Sequence, residues 1–112
     1  MNKLKFKLIT NDEEIIDEEV NYFEKDNIIN FKIADDIYQL DKEKIILIKK
    51  DQEKELTMNF KEKLIIINLY TNNIKIDYSI DNCKINKEKN IIKIDYTLES
   101  ENKIKNSIFI EF

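Results

Sequence analysis

The chain has 112 residues, a net charge of −4 and 38% charged residues, which describes one soluble domain spanning 1–112 with a mixed-charge surface. It contains no glycine, proline, histidine, arginine or tryptophan. A histidine-relayed nucleophile, a glycine-lined phosphate loop, an arginine clamp and a histidine metal site are therefore excluded, and the acidic balance argues against binding to a nucleic-acid backbone.

Strand periodicity begins at once. Leu4, Phe6 and Leu8 alternate with Lys3, Lys5 and Lys7, a half-buried strand with a lysine-coated outer face. Residues 13–24 are ambiguous: Thr10 with Glu13 resembles a helix capping box, yet Ile16, Val20 and Tyr22 share a face if the segment is extended. A strand is expected, with a short helix as the competitor. After a turn at Lys25-Asp26-Asn27, Ile29, Phe31 and Ile33 point inward. Asn and Asp are the residues left here that accept left-handed turn geometry.

Further strands are expected at 36–40, 43–50, 53–60 (Leu56, Met58 and Phe60 inward) and 63–70. Ile45 to Ile48 and Leu64 to Ile67 are apolar without alternation, so part of their second face should be covered by another element or a partner subunit. The 23 isoleucines are β-branched and favour strands throughout.

The segment IKIDYSI at 74–80 recurs as IKIDYTL at 92–98. Two strands in similar environments account for this echo, with Ile, Ile and Tyr inward and Lys and Asp outward. A β-bulge at Asp81-Asn82 brings the odd-numbered Cys83 and Ile85 onto the face of Ile80. A hairpin around 87–90 then sets 85 against 92, 83 against 94 and 80 against 96. Cys83, the single cysteine, is expected to be buried and inert. The last strand, 104–112, places Ile108, Ile110 and Phe112 on one side. Eight to nine such strands with no long helix predict an all-β fold, an antiparallel up-and-down β-barrel, closed so that few edges are left to aggregate.

The segments YFEKDNIINFKI (22–33), IYQLDKEKIILIKK (37–50) and LYTNNIKIDYSIDNCKINKEKNIIKIDYTLES (69–100) resemble the small YwiB-like proteins, a family of unassigned function. The resemblance covers most of the chain and implies a calycin-type, lipocalin-like barrel. It implies no catalytic residues, and the turn glycines common in such proteins are missing here.

The reading of function is a non-enzymatic binding module, for a small apolar or aromatic ligand or for a protein partner. Five tyrosines offer a hydroxyl on an apolar body, and Tyr22, Tyr78 and Tyr96 are the candidate ligand-binding residues. The alternative is a homodimer or other homo-oligomer built on the isoleucine runs. A carboxylate-based hydrolase is disfavoured, because Asp77 and Asp95 fall on the outward face beside lysines. No cofactor, catalytic residue, metal, nucleic acid or membrane is expected. The AT-rich codon bias, free thiol and lack of a signal peptide suggest a bacterial protein in the cytoplasm.

Overall fold

The computed structural model describes residues 2–99 and 103–112. It contains ten strands: β1 (Lys3–Thr10), β2 (Glu13–Lys25), β3 (Ile28–Ile33), β4 (Asp36–Asp41), β5 (Ile46–Lys50), β6 (Lys54–Asn59), β7 (Leu64–Leu69), β8 (Ile74–Lys87), β9 (Ile91–Leu98) and β10 (Lys105–Glu111). Each strand pairs antiparallel with its neighbours in sequence, and β1 pairs with β10 to close the barrel. The class is as expected, with ten strands where eight to nine were predicted. Residues 13–24 lie within one strand, not a helix. The one helical element among the described residues is a single turn at Thr71–Asn73, and no helix is long and apolar enough to cross a membrane.

Without glycine, the tight turns fall to Asn and Asp. Asn11 and Asp12, and Asp26 and Asn27, are consecutive pairs at positive φ, the backbone that a two-residue hairpin turn needs to match the strand twist; Asn72 and Asn73 take the same backbone in the longer turn between β7 and β8. Ala34, Ile45 and Lys63 also take positive φ, where a Cβ crowds the backbone. Ile45 is thus a turn residue ahead of β5, not the strand residue expected, although its side chain is buried.

Two long strands turn the corners. Residues 13–21 of β2 pair with β1, and 22–25 pair with β3. Likewise 74–79 of β8 pair with β7, whereas Ile80 and the residues beyond pair with β9. The barrel is therefore two sheets. The first joins the start of β2, β1, β10, β9 and the end of β8, and the second runs from the end of β2 through β7 to the start of β8. The register shifts between Ile80 and Asn82, so the expected bulge sits where β8 passes from one sheet to the other.

The expected pairing is off by two residues. Ile80 stands opposite Leu98, Cys83 opposite Tyr96 and Ile85 opposite Ile94. The cause is the turn: Glu88 N–H donates to the Ile91 carbonyl at 2.8 Å, closing the hairpin beyond Lys87 and Ile92. A slip of two preserves the inner face because the strand period is two. Cys83 is half-buried, not fully buried as expected.

The core is one cluster. Phe31 stacks on Tyr38 at 5.0 Å, and Phe6 tilts against both at 5.6 and 5.3 Å. Phe60 packs on Tyr96 at 5.2 Å, and Leu4, Ile29, Leu40, Ile92 and Ile110 fill the space between sheets. Aromatic side chains thus occupy the centre of the barrel, as side chains do in narrow barrels.

Outside, Ile48 and Ile66 flank Thr57, and Ile46 and Leu64 flank Asn59. These four apolar side chains are half-buried. Among the described residues no element of the chain lies over them, since elements meet only their strand neighbours and the short turn meets β7.

Candidate functional site

The inner face of the second sheet follows from its register, because residues paired across adjacent strands share a face. One row runs Phe31, Tyr38, Lys49, Leu56, Ile67 and Ile76. The row nearer the centre runs Ile29, Leu40, Leu47, Met58, Ile65 and Tyr78. A third row ends in Lys54, Leu69 and Ile74.

Burial falls along these rows. Phe31 and Tyr38 belong to the core, Leu56 and Ile67 pack half-buried against it, and the last strand is open. Ile74, Ile76 and Tyr78 are 44%, 36% and 46% exposed. The first sheet accompanies β8 only from Ile80 onward, so the half of β8 bonded to β7 reaches past it. What results is an apolar shelf continuous with the core and open to solvent, formed by Leu56, Ile67, Leu69, Ile74, Ile76 and Tyr78. Its rim is polar: Lys49 Nζ lies 3.5 Å from Asp36 Oδ2, and Lys54 Nζ lies 3.3 Å from Asp51 Oδ2.

Three inward-facing groups titrate above their ordinary range. Burial pushes the Tyr96 phenol up to about 12, with a smaller push from Cys83. Burial and then the Asp36 carboxylate push Tyr38 up to about 12. Burial also raises the Cys83 thiol, which Lys63 partly offsets. These groups are held in their neutral forms, the opposite of what activates a nucleophile or base at neutral pH. Among the described residues no three acidic or thiol side chains cluster as a metal site would need.

The three candidate tyrosines are not brought together. Tyr22 lies at the β2 margin of the inner face, opposite Phe31, and meets Phe112 edge-on at 6.5 Å. Tyr78 lies at the far margin, on the shelf. Tyr96 is in the core, its hydroxyl 4.0 Å from Met58 Sδ. The shelf residues Leu56, Ile67 and Leu69 were missed as site residues, although the apolar run 64–67 had marked the strand that carries two of them or borders them. Ile74 and Ile76 share the expected inner face, but lack the expected cover.

A groove of about 810 Å³ lies on the outer side of the first sheet. Lys5, Lys7 and Lys93 alternate there with Asp17, Asp95 and Glu111. Lys7 lies 3.8 Å from Glu14 and 4.0 Å from Asp17, and the Ser107 hydroxyl donates to Asp95. Such interleaved charge describes a solvated surface with no field of one sign.

Comparison with solved structures finds a likeness. The crystal structure of the ywiB protein from Bacillus subtilis matches 97% of this chain and 89% of its own, with a TM-score of 0.46 and 11% identity. The chain is similar to ywiB. That is the kind of protein whose strand pattern the sequence resembles, and at this identity no ywiB residue is carried over. No family model and no curated protein sequence matches the chain.

Proposed function

We propose that this YwiB-like barrel is a binding protein without turnover, and that its ligand is a small apolar or aromatic molecule held on the shelf. The observation that supports this is the inner face itself: one row stays apolar from buried Ile29 to exposed Tyr78, and beside it Leu56, Ile67 and Leu69 lead to exposed Ile76 and Ile74. Surface of this kind gains from being covered, by roughly 25 cal/mol per Å² of apolar area removed from water. Lys49 and Lys54 at the rim suit a ligand with an anionic tail, and Tyr78 offers a hydroxyl beside an apolar body. On this reading the chain is a calycin-like, cytoplasmic bacterial protein that needs no cofactor. The filled centre turns the ligand toward the open end, away from the barrel axis.

Anilinonaphthalene sulfonate, an aromatic anion whose emission rises on apolar surfaces, is a direct probe. Native wild-type protein should enhance its emission. The pair of substitutions Ile76→Glu and Tyr78→Ser should weaken binding about tenfold or more, equivalent to about 1.4 kcal/mol of lost contact. Binding that is absent from the wild type, or unchanged in the double variant, would defeat the reading.

A further inference from the structure

The half of β8 that carries the shelf also carries a free strand edge. β7 bonds one side of residues 74–79; on the other side Ser79 is met by Glu99, and among the described residues no strand pairs with 74–78. The direction of the main chain follows from two bonds. The Ser79 carbonyl accepts from Glu99 N–H at 3.2 Å, on the β9 side, while Ile80 N–H donates to the Lys63 carbonyl at 3.0 Å, on the β7 side. Successive residues of a strand direct their main-chain groups to opposite sides. Lys75 and Asp77 therefore direct both N–H and C=O to the open side.

Among the described residues, nothing matches the charge that these two carry. Lys75 stands opposite Asn68 and Asp77 opposite Ile66. Neither forms an ion pair among the described residues.

We propose that a second copy of this chain docks antiparallel along this edge, about a two-fold axis at Ile76. That axis sets each Lys75 opposite the Asp77 of the second copy, in pairs that exchange both main-chain hydrogen bonds. On the inner face it sets Ile76 against Ile76, and Ile74 against the Tyr78 of the second copy, so the two shelves become one surface. The charges select this register: an axis at Asp77 would set two carboxylates face to face, and one at Lys75 two ammonium groups. The other open edge, residues 13–21 of β2, holds Glu13, Glu14, Asp17, Glu18 and Glu19, and like charge protects it from its own copy. Ile76 thus lies at the centre of an isologous interface, distinct from the isoleucine runs on the outer face. The dimer does not depend on a ligand.

Sedimentation velocity tests it. The wild type should form dimers, while Lys75→Asp and Asp77→Lys should each raise the dimer dissociation constant about tenfold or more. The double variant, with the charges exchanged, should recover the wild-type constant, and an equimolar mixture of the two single variants should form a mixed dimer. Both positions are exposed, so thermal melts of all three variants should match the wild type at protein concentrations low enough that every form is monomeric. In a Cys83→Ser background, oxidised Ile76→Cys should form a disulfide dimer, because directly opposed residues of this kind lie about 4.5 Å apart. A wild type that stays monomeric at every concentration overturns the proposal, as do single variants that sediment like the wild type. Binding of anilinonaphthalene sulfonate by Lys75→Asp is expected to persist, which separates failure of the interface from failure of the shelf.

Discussion

Cys83 on β8 stands directly across from Tyr96 on β9, and both face inward. The pairing exists because Asp81 is the extra residue at the corner, which turns the odd-numbered stretch of β8 toward the core. Tyr96 is buried while Cys83 is half-covered. Burial nonetheless raises the thiol above its ordinary range.

Thiol labelling reads this relationship. At pH 8 the native protein should react with a disulfide reagent roughly tenfold or more slowly than the unfolded chain, since both burial and a smaller thiolate fraction act against it. Equal rates would place Cys83 on the outer face and remove the bulge.

Alkali should destabilise the barrel in a defined window. The folded Tyr38 and Tyr96 phenols titrate near 12 where an unfolded tyrosine titrates near 10. A raised folded value means a contribution fully present below pH 10 and lost as pH climbs through about 12. For each buried phenol this amounts to on the order of 2–3 kcal/mol. Urea midpoints measured from pH 9 to 12 should fall steeply for the wild type and distinctly less for a Tyr38→Phe, Tyr96→Phe double variant, in which the lysines still titrate. Parallel pH profiles would show that neither phenol is held neutral by the fold.

The turns lack glycine where the backbone favours it. Ala34 and Lys63 are exposed at φ 54° and 56°, a region costing an L-residue roughly 1–2 kcal/mol. Ala34→Gly and Lys63→Gly should therefore each be neutral to stabilising, by up to about 1 kcal/mol after the added freedom of the unfolded chain is subtracted, which is a rise of about 4–8 °C in Tm. Ile45 has the same backbone, at φ 53°, but its side chain is buried. Ile45→Gly should lower stability by more than about 2 kcal/mol, because the lost core contacts outweigh the relief. Thermal melts of the three variants decide whether conformation or burial governs each turn.

Alternation alone was enough to place Leu4, Phe6 and Phe31, because each is bracketed by polar residues whose only stable direction is outward. It also placed the bulge, where parity changes between Ile80 and Cys83. It did not reveal the closing point of the β8–β9 hairpin: the runs 83–86 and 91–94 tolerate a slip of two without moving any side chain to the other face, and the choice rests on the local turn between Glu88 and Ile91. Nor did it reveal the shelf. Ile74, Ile76 and Tyr78 repeat the pattern of Ile92, Ile94 and Tyr96 residue for residue, yet one set is open and the other buried. Inwardness is a property of the strand, whereas cover depends on how far the opposite sheet extends, which is a property of distant residues. The tyrosines were scattered for the same reason: composition counts hydroxyls without saying which share a wall.

The boundary between core and shelf should be sharp along β8. Ile76 and Ile80 share the strand and the face, and differ in cover: 36% against 3% exposed. At Ile80 a lysine would bring an unpaired ammonium among Ile65, Tyr96 and their neighbours, and the chain would have to neutralise it, drag it to water or unfold. Ile80→Lys should therefore cost about 3 kcal/mol or more. At Ile76 the same side chain can lay its methylenes along the shelf and keep its charge in water, so Ile76→Lys should change monomer stability by no more than about 0.5 kcal/mol. Urea denaturation at low protein concentration, where a dimer contributes nothing, makes the comparison. Similar losses at both positions would mean that β8 is covered along its whole length and that the barrel has no open end here.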